Sequence, residues 1–180
     1  MNHLKVKIFK NFISKKESNE LHEWVVSQKE LTLWNTQYYI AGYRFFDPAN
    51  KEWPVDDIGR KLNPISNINE NFIKLRNKIS NKIKLKNEKK SKNSASLVSI
   101  IYEKGFVASH TDSTIDGCIH LRGNIILNCP KNSANVIIDK KQYQLDKGDL
   151  IVFPANILEH STTIHNSKEP RTILSYPFLI

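Results

Sequence analysis

The stretch "SLVSIIYEKGFVASHTDSTIDGCIHLRGNIILN", residues 96–128, decides the fold. Two short apolar runs, SLVSIIY and CIHLRGNIILN, flank turn-like pieces, EKG and DSTIDG. The same texture continues with NVIID, QYQL, DLIVF, TTIH and RTILSYPFLI, separated by CPKNSA, DKKQ, DKGD and NSKEP. Short apolar segments at this spacing, with turn signals between them, predict an all-β sandwich or barrel.

The first half of the chain reads differently. KVKIF, residues 5–9, alternates polar and apolar like a short strand. Ser14 and Glu17 then form a capping box, each side chain answering an orphan backbone N–H. Leu21, Trp24 and Val25 follow at helical spacing, so an amphipathic helix is predicted over 15–28. Residues 33–48, LWNTQYYIAGYRFFDP, read as strand and turn, with aromatics that either pack a sheet or line a substrate entrance; packing is preferred. KEWPVDDIGRKLNP reads as a loop. Ile68, Phe72, Leu75, Ile79 and Ile83 then make a helical stripe suited to lie on a sheet. The fold class expected is α+β, mainly β: a jelly roll, or double-stranded β-helix, over 96–180, with 1–95 supplying two supporting N-terminal helices. There is no internal repeat, P-loop or GxGxxG.

With 180 residues the chain matches one domain, 1–180, large enough to bury a core without staples. Two cysteines, Cys118 and Cys129, with no CxxC, read as free thiols of a reducing compartment. Lysines interrupt the N-terminal apolar residues too often for a signal-peptide core. DLIVFPANILEH is too short, and broken by proline, to span a bilayer. A soluble cytoplasmic protein without a membrane partner is expected. The net charge of +9 and a pI near 9.5 raise the question of a nucleic-acid partner. That partner is not favoured. Lys, Asn and Ile are abundant throughout, and the dense run KIKLKNEKKSKN, 82–93, has no aromatic and no arginine for stacking. A solvated helix end and loop accounts for it.

His110 and Asp112 stand one residue apart. In an extended segment such residues share a face, so they can chelate one metal. His160, in FPANILEHSTTIH, is the candidate third ligand. Two histidines and one carboxylate leave three coordination positions open, which suits a non-haem Fe(II) that binds a co-substrate and O2 together. Arg171, eleven residues after His160 at the head of RTILSYPF, offers a fork of fixed geometry to a carboxylate.

This H-T-D…H…R pattern resembles the Fe(II)/2-oxoglutarate-dependent dioxygenases. YEKGFVASHTD and DKGDLIVFPANILEHS are similar to the Y-x-x-G…H-x-D and G-D…F-P…H segments of their prolyl-4-hydroxylase-like branch. The resemblance covers residues 96–180. It implies iron held by His110, Asp112 and His160, and a 2-oxoglutarate co-substrate paired with Arg171 and hydrogen-bonded by Tyr102. It also implies consumption of O2 and hydroxylation of an unactivated C–H bond. Collagen-type prolyl hydroxylases generally use lysine where Arg171 stands, and the second arginine of AlkB-like demethylases is missing. Asp112 is present, which does not indicate a halogenase. With no long insertion, the expected substrate is a small molecule or an amino acid. A peptidyl (prolyl-type) hydroxylase and an AlkB-like nucleic-acid demethylase remain as alternatives, and a non-catalytic cupin-type binding barrel as one of another class. Arg122 opens the strand RGNIILN and either touches substrate or is a surface charge. His120 and His165 read as ordinary polar residues, and Asp149 as a turn former.

Overall fold

Each strand of the main sheet presents two different faces, and that alternation organises the molecule. The computed structural model describes residues 4–27, 32–35, 40–45, 70–89 and 96–180. Its elements are β1 (Lys7–Phe9), α1 (Lys15–Val26), β2 (Thr32–Asn35), β3 (Ile40–Phe45), α2 (Glu70–Ile83), β4 (Ser96–Ile101) and β5 (His120–Asn128). There follow β6 (Val136–Ile138), β7 (Lys141–Tyr143), β8 (Leu150–Pro154), β9 (His160–Thr162) and β10 (Arg171–Leu179). A seven-stranded antiparallel sheet runs β1-β8-β5-β10-β4-β3-β2, and a three-stranded antiparallel sheet runs β7-β6-β9. The described part is thus mainly β with two helices.

Successive strand residues point to opposite faces. Val98 and Ile100 of β4, Leu121, Ile125 and Leu127 of β5, and Leu174, Tyr176 and Phe178 of β10 face the helices. There they meet Leu21 and Val25 of α1 and Phe72, Leu75, Ile79 and Ile83 of α2 in one core. The opposite face carries Ile126, Ile151 and Phe153, which pack against Val136, Ile138 and Leu145 beneath the small sheet. A sheet covered on both sides reads in sequence as near-continuous apolar runs.

Both predicted helices form. Ser14 caps α1 by accepting the Glu17 N–H at 3.1 Å. The helix ends at Val26, two residues earlier than predicted, with Ser27 as its C-cap. Ser18, fully buried, donates its hydroxyl to the carbonyls of Ile126 and Leu127, which pins α1 to β5. Phe72 meets Trp24 edge-to-face at 4.9 Å, and its carbonyl accepts the Tyr176 hydroxyl at 2.7 Å. Gly123 lets α2 approach the sheet: a Cβ there would stand 3.2 Å from Ile79 and Phe178 side-chain atoms. Ile68 and the loop KEWPVDDIGRKLNP lie outside the described residues. Part of the aromatic segment 33–48 lies in β2 and β3.

The predicted strand TTIH is displaced. β9 starts two residues earlier, at His160, because Ile138, Ile137 and Val136 pair with His160, Ser161 and Thr162. No helix among the described residues is long and apolar enough to cross a membrane. Cys118 and Cys129 are free thiols.

Candidate metal centre

His160 opens β9, and His110 lies in the irregular segment that runs alongside it. The two residues exchange backbone hydrogen bonds, His110 N–H to His160 O at 3.1 Å and His160 N–H to His110 O at 2.8 Å. Two histidines opposed in this way must place their side chains on one face. Their ring centroids stand 4.3 Å apart. Asp112 follows on the same face, its N–H held by the Ala155 carbonyl at 2.9 Å. Ser109 and Glu159, the neighbours of the two histidines, share a 2.7 Å hydrogen bond.

One donor atom from each of His110, Asp112 and His160 lies within 4.8 Å of the others. Asp112 Oδ1 is 3.6 Å from His110 Nε2 and 3.7 Å from His160 Nε2. The other nitrogens are already committed: His110 Nδ1 donates to the Ala108 carbonyl at 2.8 Å and His160 Nδ1 to the Leu158 carbonyl at 3.1 Å. A carbonyl can only accept, so Nδ1 carries the proton and each Nε2 keeps its lone pair for a metal. Two imidazole nitrogens and a carboxylate oxygen converging from one side fit a first-row divalent ion.

Asp112 is kept ionised. Burial opposes its charge, but Arg122 beside it, with His110, holds the carboxyl well below the usual carboxylate range. Arg122 Nε donates to Asp112 Oδ2 at 2.6 Å, and His120 Nδ1 stands 3.6 Å from the same oxygen. Burial first, then Arg122, pushes His120 down to about 4, so its ring is neutral at pH 7. Burial also lowers His160, whereas the Asp112 carboxylate raises His110.

The three donors open into a cavity of about 220 Å³ between the two sheets. Arg122, Asn124, Arg171 and Ser175 line it with them. Arg171 is only 2 % exposed, and its Nε makes no hydrogen bond. Burial pushes its guanidinium down to about 10, still cationic at neutral pH. Among the described residues no carboxylate forms an ion pair with it. A buried cation is costly without a counter-charge, and an anion in the cavity would supply one.

The remaining candidates are placed as follows. Arg122 lies in the cavity wall, engaged with Asp112. Tyr102 lies one residue past β4, is 37 % exposed and does not line the cavity. His165 is fully buried away from the donors; its Nδ1 accepts the Ala134 N–H at 3.2 Å and its Nε2 donates to the Glu169 carbonyl at 2.7 Å. Asp149 accepts the N–H groups of Asn11 and Asp146 and the Lys10 ammonium, tying two turns together. Asn124 in the cavity wall is an addition that the sequence reading lacks, and His120, read there as an ordinary polar residue, stands beside Asp112. Their signal was parity: residues 120, 122 and 124 of one strand share a face.

No protein-family model matches the sequence, and no curated protein does. Solved structures do match. A 2OG-Fe(II) oxygenase family oxidoreductase from Burkholderia pseudomallei superposes with a TM-score of 0.68 at 12 % identity, over 97 % of this chain and 84 % of that one. The viral collagen prolyl hydroxylase of Paramecium Bursaria Chlorella virus-1, in its 2OG complex, gives 0.63 at 12 % identity over 97 % and 94 %. HygX from Streptomyces hygroscopicus, with nickel, 2-oxoglutarate and hygromycin B bound, gives 0.66 at 7 % identity over 99 % and 84 %. The chain has the fold these oxygenases share.

Proposed function

We propose that the protein is an Fe(II)- and 2-oxoglutarate-dependent dioxygenase that hydroxylates an unactivated C–H bond of a small molecule or amino acid. One observation carries this reading: His110 Nε2, Asp112 Oδ1 and His160 Nε2 converge at a cavity whose wall also holds the buried cation Arg171, which has no carboxylate partner among the described residues. A binding barrel of cupin type has no need of that cation beside an H-x-D pair. On this reading residues 96–180 form a double-stranded β-helix, 1–95 support it within one domain, and the protein works in the cytoplasm.

The bound iron, with 2-oxoglutarate and O2, supplies the oxidising chemistry. The chain supplies the rest. His110, Asp112 and His160 would hold the metal. Arg171 would receive a carboxylate of 2-oxoglutarate and so would orient the co-substrate. Ile101, Val107 and Phe153 in the cavity wall exclude water from the reacting centre. Tyr102, exposed just past β4 and outside the cavity lining, is assigned no role in this proposal. A cavity of about 220 Å³ that also holds the co-substrate leaves room for a small reacting group. The HygX complex, with its bound small molecule, supports that substrate class.

The test is anaerobic addition of Fe(II) and 2-oxoglutarate to the purified protein, with visible absorption as readout. A metal-to-ligand charge-transfer band is expected in the wild type and is weakened or lost in Asp112→Ala and Arg171→Ala. Absence of a band, with iron bound equally by all three proteins, overturns the proposal. Succinate release then screens amino acids, small metabolites, prolyl peptides and methylated nucleic acids. Turnover confined to prolyl peptides or methylated nucleic acids would replace the small-molecule assignment.

A further inference from the structure

The two oxygens of Asp112 face different partners. Oδ1 is turned to the two Nε2 atoms, at 3.6 and 3.7 Å. Oδ2 is held by Arg122 Nε at 2.6 Å. The two residues also differ in how firmly the backbone fixes them. Arg122 is on a central strand, paired on one side with Phe153 of β8 and on the other with Pro177 of β10. Asp112 lies outside regular structure, its N–H on the Ala155 carbonyl. In such a pair the member on the rigid sheet sets the orientation of the member on the loop.

We propose that Arg122 is a positioning residue that occupies Oδ2 and so presents Asp112 to the metal through Oδ1 alone. This rests on the metal-centre reading above and deepens it. Partners that orient a ligand typically change metal affinity about 10- to 100-fold when removed. Arg122 also carries a positive charge beside the site, and charge alone acts in the opposite direction, by repelling a cation. The two effects can be separated. Arg122→Lys keeps the charge but loses the planar Nε donor. Arg122→Met removes both and keeps much of the side-chain length.

The experiment is calorimetric titration of the purified protein with Co(II), without oxygen, 2-oxoglutarate or substrate. The visible Co(II) absorption is recorded alongside, because it responds to a carboxylate that turns from one-oxygen to two-oxygen coordination. If Arg122 positions Asp112, both variants bind Co(II) about 10- to 100-fold more weakly than the wild type, with an altered spectrum. Unchanged binding by Arg122→Lys together with tighter binding by Arg122→Met shows an effect of charge only and overturns the proposal. Unchanged affinity and spectrum in both variants overturn it as well. Circular dichroism of the metal-free proteins checks folding; should Arg122→Met not fold, Arg122→Lys decides alone. Equal Co(II) binding by wild type and His110→Ala, or none by wild type, overturns the metal-centre reading and this inference with it.

Discussion

The two faces of the main sheet are built from the same strands by opposite rules. The helix face of β4, β5 and β10 is mostly apolar from Val98 to Phe178; Tyr176 has its hydroxyl satisfied by Phe72, whereas the buried Thr172 Oγ1, opposite Ile100, makes no hydrogen bond. The cavity face of the same strands carries Arg122, Asn124, Arg171 and Ser175, and Asn124 Oδ1, Arg171 Nε and both ring nitrogens of the neighbouring His120 are buried without a hydrogen bond. One face is packed almost wholly with apolar side chains; the other carries two arginines. Stability and ligand binding are thereby assigned to alternate residues of single strands.

The most severe way to break that division is on the helix face. Phe72→Ala empties a fully buried ring position between α1 and the sheet. It is expected to lower unfolding free energy by about 3–5 kcal/mol in urea denaturation, while the folded fraction keeps its Co(II) affinity. A large loss of metal affinity in the folded protein would show that the two faces are not independent.

Second comes pH. His120 has a folded pKa of about 4, below its ordinary 6.5. A group whose proton affinity is depressed by folding leaves the unfolded chain binding more protons between those values. Stability is therefore fully present above pH 6.5 and falls as pH drops toward 4. The fall from His120 is on the order of 2–3 kcal/mol. Denaturation of metal-free protein from pH 7 to pH 4 should show a shallower loss in His120→Gln than in wild type. Parallel curves would remove His120 from the account.

The smallest effect has the opposite sign. Arg171→Met replaces a buried cation without a counter-charge by an apolar chain, and the metal-free protein is expected to gain roughly 1–2 kcal/mol. The same variant should lose the charge-transfer band with 2-oxoglutarate. A destabilised Arg171→Met would mean that the guanidinium is satisfied within the protein and that the cavity is not waiting for an anion.

These faces were only partly legible in the sequence. His110, Asp112, His160 and Arg171 could be read as a set because their spacing and the flanking strand and turn signals agreed. Both helices followed from Ser14, Glu17 and the stripe ending at Ile83. The face of each strand was harder. β5 is covered on both sides, so its residues from Ile125 to Leu127 are apolar whichever way they point. Arg122 and Asn124 interrupt that run at a period of two, which marks the cavity face. Which neighbour Arg122 meets depends on a contact across ten residues of irregular chain. The apolar segment TTIH misplaces β9 for a related reason: the strand is fixed by pairing with β6, some 24 residues earlier, and not by local pattern.

The strand order has a consequence in time. β10 is the last strand of the order yet lies between β5 and β4. Those two strands have no direct pairing; each waits for β10 to hydrogen-bond to both. During synthesis the ribosome must therefore release Arg171–Leu179 before the sheet can close. Until then Arg171 and Ser175, both on β10, cannot take their places in the cavity wall. Folding here is a non-local search, because β10 must join two strands far from it in the chain. Trimming that segment should abolish the whole structure and not merely shorten a strand.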